Sequence, residues 1–374
     1  MSTSRPDSNR IPSLDGMRAV SIMVVLFAHA FQTKNFPTLS VHRLSLLADG
    51  KLGVRVFFVI SGFLITTLLL KEKAKTGRIS LTAFYKRRVL RILPVYYFYI
   101  LVIAIVCGLM LHEIPASTYI SASTFTTNWW GVWSKPFTWP LEHTWSLAME
   151  EQFYLTWPVL LACAGPRFAG RIWIPILMLM PPCLRFFMWH DPLMDHLFYF
   201  QGDSIASGCL LAFLLDRRRP QMSKIFGFFP ALFRATALVL IFLNILLASA
   251  CRRLDIPFPL HLFVMLHPTV QCISICYLMG SWVLNQNGVS YWLLNLAFVQ
   301  WIGRLSYSLY IWQQIALIPH TANTFPDQWS LAQWATTFPQ NLGFVFLLAM
   351  LSYYCLEQPM LRLKAHFAKI PAVH

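Results

Sequence analysis

The sequence predicts an all-α fold, a polytopic integral membrane bundle of about ten transmembrane helices. Three observations predict it. The chain is 57% apolar and only 12% charged, about half the charge of an ordinary soluble chain, and its mean hydropathy is +0.55. Apolar runs recur along almost its whole length, many near the ~20 residues a helix needs to cross a bilayer. These runs are continuous rather than alternating, which selects helices over a barrel, the two structures that satisfy the backbone in hydrocarbon.

The spans are taken in order. The first, about 16–32, follows a polar N-terminus, lacks a small-residue cleavage site and keeps an Arg and a His inside, so it reads as a span and not a cleaved signal. The second, 52–70, contains GVRVFFVISGFLI, whose Gly53 and Gly62 are too far apart for a phosphate cradle and read as close helix-packing positions. The third, 94–111, follows the densely basic loop 71–91 and opens on Pro94, a first-turn proline. The fourth, 145–164, follows a long loop, 112–144, and begins in HTWSLAMEEQFYLTWP. The rest run 172–189, 197–215, 235–250, 260–284, 302–319 and 336–356. No internal repeat or low-complexity segment interrupts them.

A formal net charge of +15 would direct a soluble protein toward nucleic acid. Here the positive-inside rule explains it, and no nucleic-acid partner is expected. With the N-terminus inside, 22 of the Lys and Arg residues fall in inward segments and 8 in outward ones. Both termini are therefore expected on the cytoplasmic side, and residues 1–374 are expected to form one domain with its transmembrane core at about 16–356 and a short cytoplasmic tail at 357–374. The eight cysteines lie mostly in apolar runs and read as small buried residues. Cys272 and Cys276 share a helix side, but no His or second Cys pair completes a metal site, so no metal is expected.

Arg18 and His29 are eleven residues apart, which on a helix returns to within ~20° of one face, about 16 Å further along. With Arg18 at the cytoplasmic boundary, His29 is expected near mid-membrane, where ionisable groups usually line a cavity. Imidazole suits general-base work at neutral pH. The alternative is a snorkelling Arg and a histidine bonded to a neighbouring helix. In the fourth span Ser146, Glu150 and Tyr154 recur every four residues and share a face, with Glu151 pointing elsewhere. Glu150 could act chemically or simply neutralise an Arg; Asp203 could pair with an Arg or cap a helix start. In FYKRRVLRILP, Arg88 and Arg91 are three apart and Arg87 and Arg91 four apart. Such a basic face binds lipid headgroups, serves the topology rule, or clamps phosphates. Trp129, Trp130, Trp133 and Trp139 read as an interfacial aromatic belt, or as a platform for sugar rings.

Taken together, IPSLDGMRAVSIMVVLFAHAF, GVRVFFVISGFLITTLLLKE, FYKRRVLRILPVYY, HTWSLAMEEQFYLTWP, IGRLSYSLYIWQ and YYCLEQPMLRLK resemble, in order from residue 11 to 364, the membrane acyltransferase family 3. These are O-acyltransferases of surface polysaccharides, lipopolysaccharide, peptidoglycan and some secondary metabolites. The resemblance implies catalytic roles for Arg18, His29 and Glu150. It also implies an acyl-CoA donor, expected to be acetyl-CoA, held at Arg88 and Arg91. Ser61 and Gly62 match its S-G-F-L element; Ser306, Tyr307 and Tyr310 match S-Y-S-x-Y. The implied partners are the small-molecule acyl donor, a carbohydrate acceptor and membrane lipid, and the implied location is a bacterial inner membrane. Three positions depart from the pattern: Arg55 stands where many members are acidic, Gln201 where an Arg often precedes the aspartate, and Gln313 where a histidine is common. The last leaves the ninth span with packing as its expected role. Length points to the form without a fused SGNH-type esterase domain. The rival readings are a secondary transporter, which would leave a thioester intact, and an acyl-relay subunit that feeds a separate transferase.

Overall fold

A computed structural model of the chain describes residues 11, 13–37, 49–109, 114–129, 139–188, 198–254, 257–319 and 330–367. It is helical throughout, with no strand among the described residues. The long helices are α1 (Leu14–Ala30), α2 (Gly50–Thr76), α3 (Leu81–Leu109), and, after the short α4 (Ala116–Ser123), α5 (Thr144–Cys163). Next comes α6 (Ile174–Phe187), entered through a π-helical turn at Ala169–Trp173. There follow α7 (Phe198–Arg217), α8 (Arg219–Gly227), α9 (Pro230–Leu254), α10 (Pro257–Leu284), the short α11 (Val289–Leu294) and α12 (Ala297–Ala316). The last elements are α13 (Ser330–Ala335), α14 (Gln340–Ser352), a second π-helical turn (Tyr353–Glu357) and α15 (Gln358–Phe367).

Among the described residues, five stretches are long and apolar enough to cross a membrane: Gly50–Thr76, Leu81–Leu109, Gly165–Phe187, Pro230–Leu247 and Gln340–Leu363. The chain is thus a multi-pass membrane protein, and ten crossings were expected where five meet that measure. α1 has only 17 residues, while α5 carries Glu150 and Glu151 in its interior. The outward faces agree with a lipid surrounding. On α3, Leu101, Ile105 and Leu109 recur every four residues and are all more than half exposed, a stripe that water would penalise and hydrocarbon would not.

Two predicted details change. Residues 71–91 are not a loop, because α2 runs on to Thr76 and α3 starts at Leu81, leaving only Gly77–Ser80 between them. Gly77 makes that turn at φ 75°, as the left-handed residue that closes α2. Pro94 therefore lies inside α3 instead of opening it. The carbonyl of Ile92 nearby takes its bond from the Tyr307 hydroxyl at 2.9 Å.

The glycines carry the close packing predicted for the second span. A Cβ on Gly62 would strike the Ile205 carbonyl of α7, and one on Gly208 of α7 would strike the Val59 carbonyl of α2. These reciprocal contacts bring two backbones together, the usual use of small residues between membrane helices. Gly53 lets α2 approach Ser21 and Val25 of α1, and Ser21 donates to the Gly53 carbonyl at 2.5 Å. On its other side α1 meets α12, where Gly303 faces the Asp15 backbone. One core joins α1, α2, α3, α5, α12 and α14; the other joins α1 and α2 to α7, α9 and α10. The helix bearing Arg18 and His29 is thus held from both sides.

Candidate active site

The helices α1, α2, α3, α5 and α12 enclose a cleft of about 780 Å³ counted to its open mouth. Its charged lining is Arg18, Arg88, Arg91, Glu150 and Glu151. Its hydroxyls come from Ser61, Ser146, Tyr154, Ser306, Tyr307 and Tyr310.

Arg88 and Arg91 reach the cleft from α3, while Arg87, one residue earlier, turns away to Glu72 of α2 at 3.6 Å. The Arg88 guanidinium lies 3.7 Å over the Tyr154 ring, a cation–π contact, and its Nε is buried without a partner. Arg91 lines the cleft together with Arg18 and Arg88, and it forms no ion pair among the described residues. Arg18 is 3.4 Å from Asp15 on its own helix. Three guanidiniums share one partly enclosed space with the carboxyls of Glu150 and Glu151, and guanidiniums gathered this closely favour an anion that joins them.

Ser146, Glu150 and Tyr154 share the face that their spacing predicts, and all three line the cleft. Glu150 accepts from the Ser61 and Tyr154 hydroxyls, which are themselves 2.9 Å apart. Glu151 was expected to point elsewhere and does not. The cleft extends far enough around α5 to include it. The ninth span, expected only to pack, contributes as well: Ser306, Tyr307 and Tyr310 of α12 close the cleft wall.

His29 is half-buried in the last turn of α1 and is not among the residues lining the cleft. Arg18, Ile22, Val25 and His29 follow one i, i+4, i+7, i+11 stripe, so the pair shares a helix side as predicted. A second histidine, His143, precedes α5. His143 is 3% exposed, and neither ring nitrogen has a hydrogen-bond partner within bonding geometry. Its ring contacts Tyr99 and Tyr310, with centroids 5.6 and 5.5 Å away. Sequence reasoning missed His143. The available signal was its place three residues before Ser146, on the face that already held Glu150 and Tyr154.

The remaining candidates sort by their partners. Asp203 pairs with Arg185 of α6, 2.7 Å away and fully buried, and accepts from Thr269 at 2.6 Å. That is the pairing alternative, not the capping one. Arg55 is buried and donates to Gln271 at 2.5 Å. Gln152 exchanges amide bonds with Asn128, 2.9 and 3.1 Å, and so fixes the segment after α4 to α5. Trp129 and Trp139 bond to Gln152 and to the Gln314 carbonyl; Trp130 and Trp133 lie outside the described residues. Gln313 is fully buried. Cys209 and Cys272 are buried and bond to the Gly62 carbonyl and Ser204. No group of three His, Cys, Asp or Glu gathers as for a metal among the described residues.

The model of a family described as an acyltransferase domain matches residues 11–356. A peptidoglycan O-acetyltransferase OatA of Listeria monocytogenes is 27% identical over 390 residues, covering 96% of this chain and 57% of that protein. An O-acetyltransferase OatA of Staphylococcus aureus is 35% identical over 170 residues, 43% of this chain and 26% of the relative. The chain thus spans about half the length of the first relative, and its match covers about a quarter of the second. No solved structure matches. The family match runs through the arginine and histidine of α1, the α3 arginines, α5 and α12, the segments that build the cleft, and this chain belongs to the membrane acyltransferase family 3.

Proposed function

We propose that this protein is an integral membrane O-acyltransferase that moves an acetyl group from acetyl-CoA to a sugar hydroxyl of a surface polysaccharide or lipid-linked glycan. The observation that carries the reading is the convergence of Arg18, Arg88 and Arg91 on one cleft, with Arg91 free of ion pairs among the described residues. Guanidinium forks suit the phosphates of a CoA donor. The relatives supply the acceptor class, a peptidoglycan in the first of them.

In this reading the donor enters at the arginine end, taken as the cytoplasmic side of a bacterial inner membrane. Its thioester points along α1 past Tyr310 toward His29. His29 takes the proton of the acceptor hydroxyl as its oxygen attacks the thioester carbonyl; the C–S bond breaks and the CoA thiolate receives the proton. Glu150 organises Ser61 and Tyr154 beneath Arg88, a donor-side role, in place of orienting the imidazole. Arg18 supplies a further positive charge to the donor.

The test is incubation of the purified full chain in lipid nanodiscs with acetyl-labelled acetyl-CoA and a soluble muropeptide or oligosaccharide. Label in the sugar ester and release of free CoA are expected. A thioester left intact would overturn the reading and favour a transporter.

A further inference from the structure

We propose that the groove between the ends of α2, α5 and α7 binds the phosphate of an anionic phospholipid, gripped by Lys73, Arg167 and Arg217. The groove shares no lining residue with the arginine cleft, so the proposal stands apart from the donor reading.

Three separate elements build it. Lys73 lies in the last turn of α2. α5 stops at Cys163, and Gly165 turns the chain at φ 80°, a left-handed conformation that glycine adopts without strain. Pro166 then opens the one-turn helix Gly165–Phe168, which carries Arg167. This turn runs beside α2, since a Cβ on Gly165 would lie 3.9 Å from the Lys73 Nζ. Arg217 ends α7, with its guanidinium 5.3 Å from the centre of the Phe213 ring. Gly170 of the first π-helical turn packs on that same ring, so the ring holds α7 and Arg217 against the chain that follows Arg167. The recess measures about 920 Å³ counted to its open mouth, room for a phosphate ester and its headgroup.

The topology rule and the helix C-termini explain Lys73 and Arg217 one at a time. They do not explain why three cations meet in one recess. None of the three forms an ion pair among the described residues, although Asp216 stands in the same lining. Three positive charges against one carboxylate leave a net attraction for an anion. A phosphate ester fits, because guanidinium forks take its free oxygens and the Lys73 ammonium adds a point charge. Asp216 then accepts from a headgroup hydroxyl, which a glycerol headgroup offers and a choline headgroup lacks. The surroundings point to a lipid as the source. Leu70, Ala74 and Ala164 form an apolar wall of the groove. Phe168, Ile172 and Trp173, which follow Arg167, are all exposed, as suits side chains that meet acyl chains and the membrane interface. Basic pockets between membrane helices hold anionic headgroups in this way.

The test uses the full chain in nanodiscs of phosphatidylcholine with and without phosphatidylglycerol, and native mass spectrometry to count the lipid that stays bound. We expect phosphatidylglycerol to be retained in preference to phosphatidylcholine. Arg167→Gln and Arg217→Gln should each weaken that retention about fivefold, and the triple change with Lys73→Gln about a hundredfold. A control removes the same charge from Lys71, Lys75 and Arg78, exposed positions outside the groove, and should change retention less than about threefold. Inorganic phosphate should not displace the bound lipid. Arg167 is exposed and makes no ion pair among the described residues, so Arg167→Gln reads the site even if the triple variant fails to fold. Equal retention of the two lipids by the wild type, equal loss in the surface control or unchanged retention in Arg167→Gln would each overturn the proposal. Displacement by inorganic phosphate would overturn the lipid assignment and give the groove to a soluble phosphate.

Discussion

The hydroxyls of Ser146 on α5 and Tyr310 on α12 lie 2.5 Å apart, and each is 3.2 Å from the carbonyl oxygen of His143. This contact locks the two helices together at the point where the arginine-lined cleft approaches the histidines. Tyr310 borders the cleft on one side and the His143 ring on the other. Tyr310→Phe is expected to cost about 1 kcal/mol of stability and to lower kcat while leaving coenzyme A affinity unchanged. Thermal unfolding and a donor titration on the same sample separate the two effects.

His29→Ala is expected to reduce kcat by about 10²–10⁴-fold, the range of a lost general base, with donor affinity retained because His29 lies outside the cleft lining. The measurement is labelled-acetyl transfer alongside a coenzyme A titration. Full transfer by a folded variant would sink the catalytic assignment.

Arg91→Lys is expected to raise the KM for acetyl-CoA about tenfold, because an ammonium is a point charge that cannot present a planar fork to a phosphate. Arg87→Lys should leave KM near wild type, since Arg87 faces Glu72. Equal effects from both would mean that the basic segment acts only through overall charge.

Gly62→Leu and Gly208→Leu should each destabilise the bundle by at least about 1–3 kcal/mol. In both cases the new side chain meets a carbonyl on the opposing helix, not a movable side-chain tip. The readout is the thermal midpoint and the yield of monodisperse protein in detergent. Wild-type behaviour would place α2 and α7 further apart than described.

Asp203→Asn removes one half of the buried Arg185–Asp203 pair and should cost about 3–5 kcal/mol, the range for breaking a buried ion pair from one side. The double change Arg185→Met with Asp203→Leu should recover much of that loss. Thermal unfolding of the two variants checks the order, and a double variant worse than the single one would contradict it.

The legible parts of the site are those set within a single helix. Arg88 with Arg91, Ser146 with Glu150 and Tyr154, and Arg18 with His29 are related by i+3, i+4 and i+11 steps, and each set does share a side. Gly53 and Gly62 were legible because a glycine inside an apolar span has few uses other than close approach. His143 was not. His143 reads as the end of a loop until Tyr99 and Tyr310 close over its ring. Glu151 was misplaced because a helical wheel describes one face at a time, whereas the cleft wraps around α5.

The sequence by itself determined the membrane-helical class, through a scarcity of charge that no soluble core would show, and the family, through motifs whose order survives wherever the helices pack. It also determined that Arg18 and His29 lie on one side of α1, because helical periodicity is a local property of the backbone. Only the tertiary structure decided where that side leads: to Arg88 and Arg91 near one end and to His143 at the other, with Glu150 beside the arginines rather than the imidazole. Those neighbours come from α3, from α5 and from the residue that precedes α5, and their approach depends on how helices pack across the bundle, which no periodicity within α1 encodes.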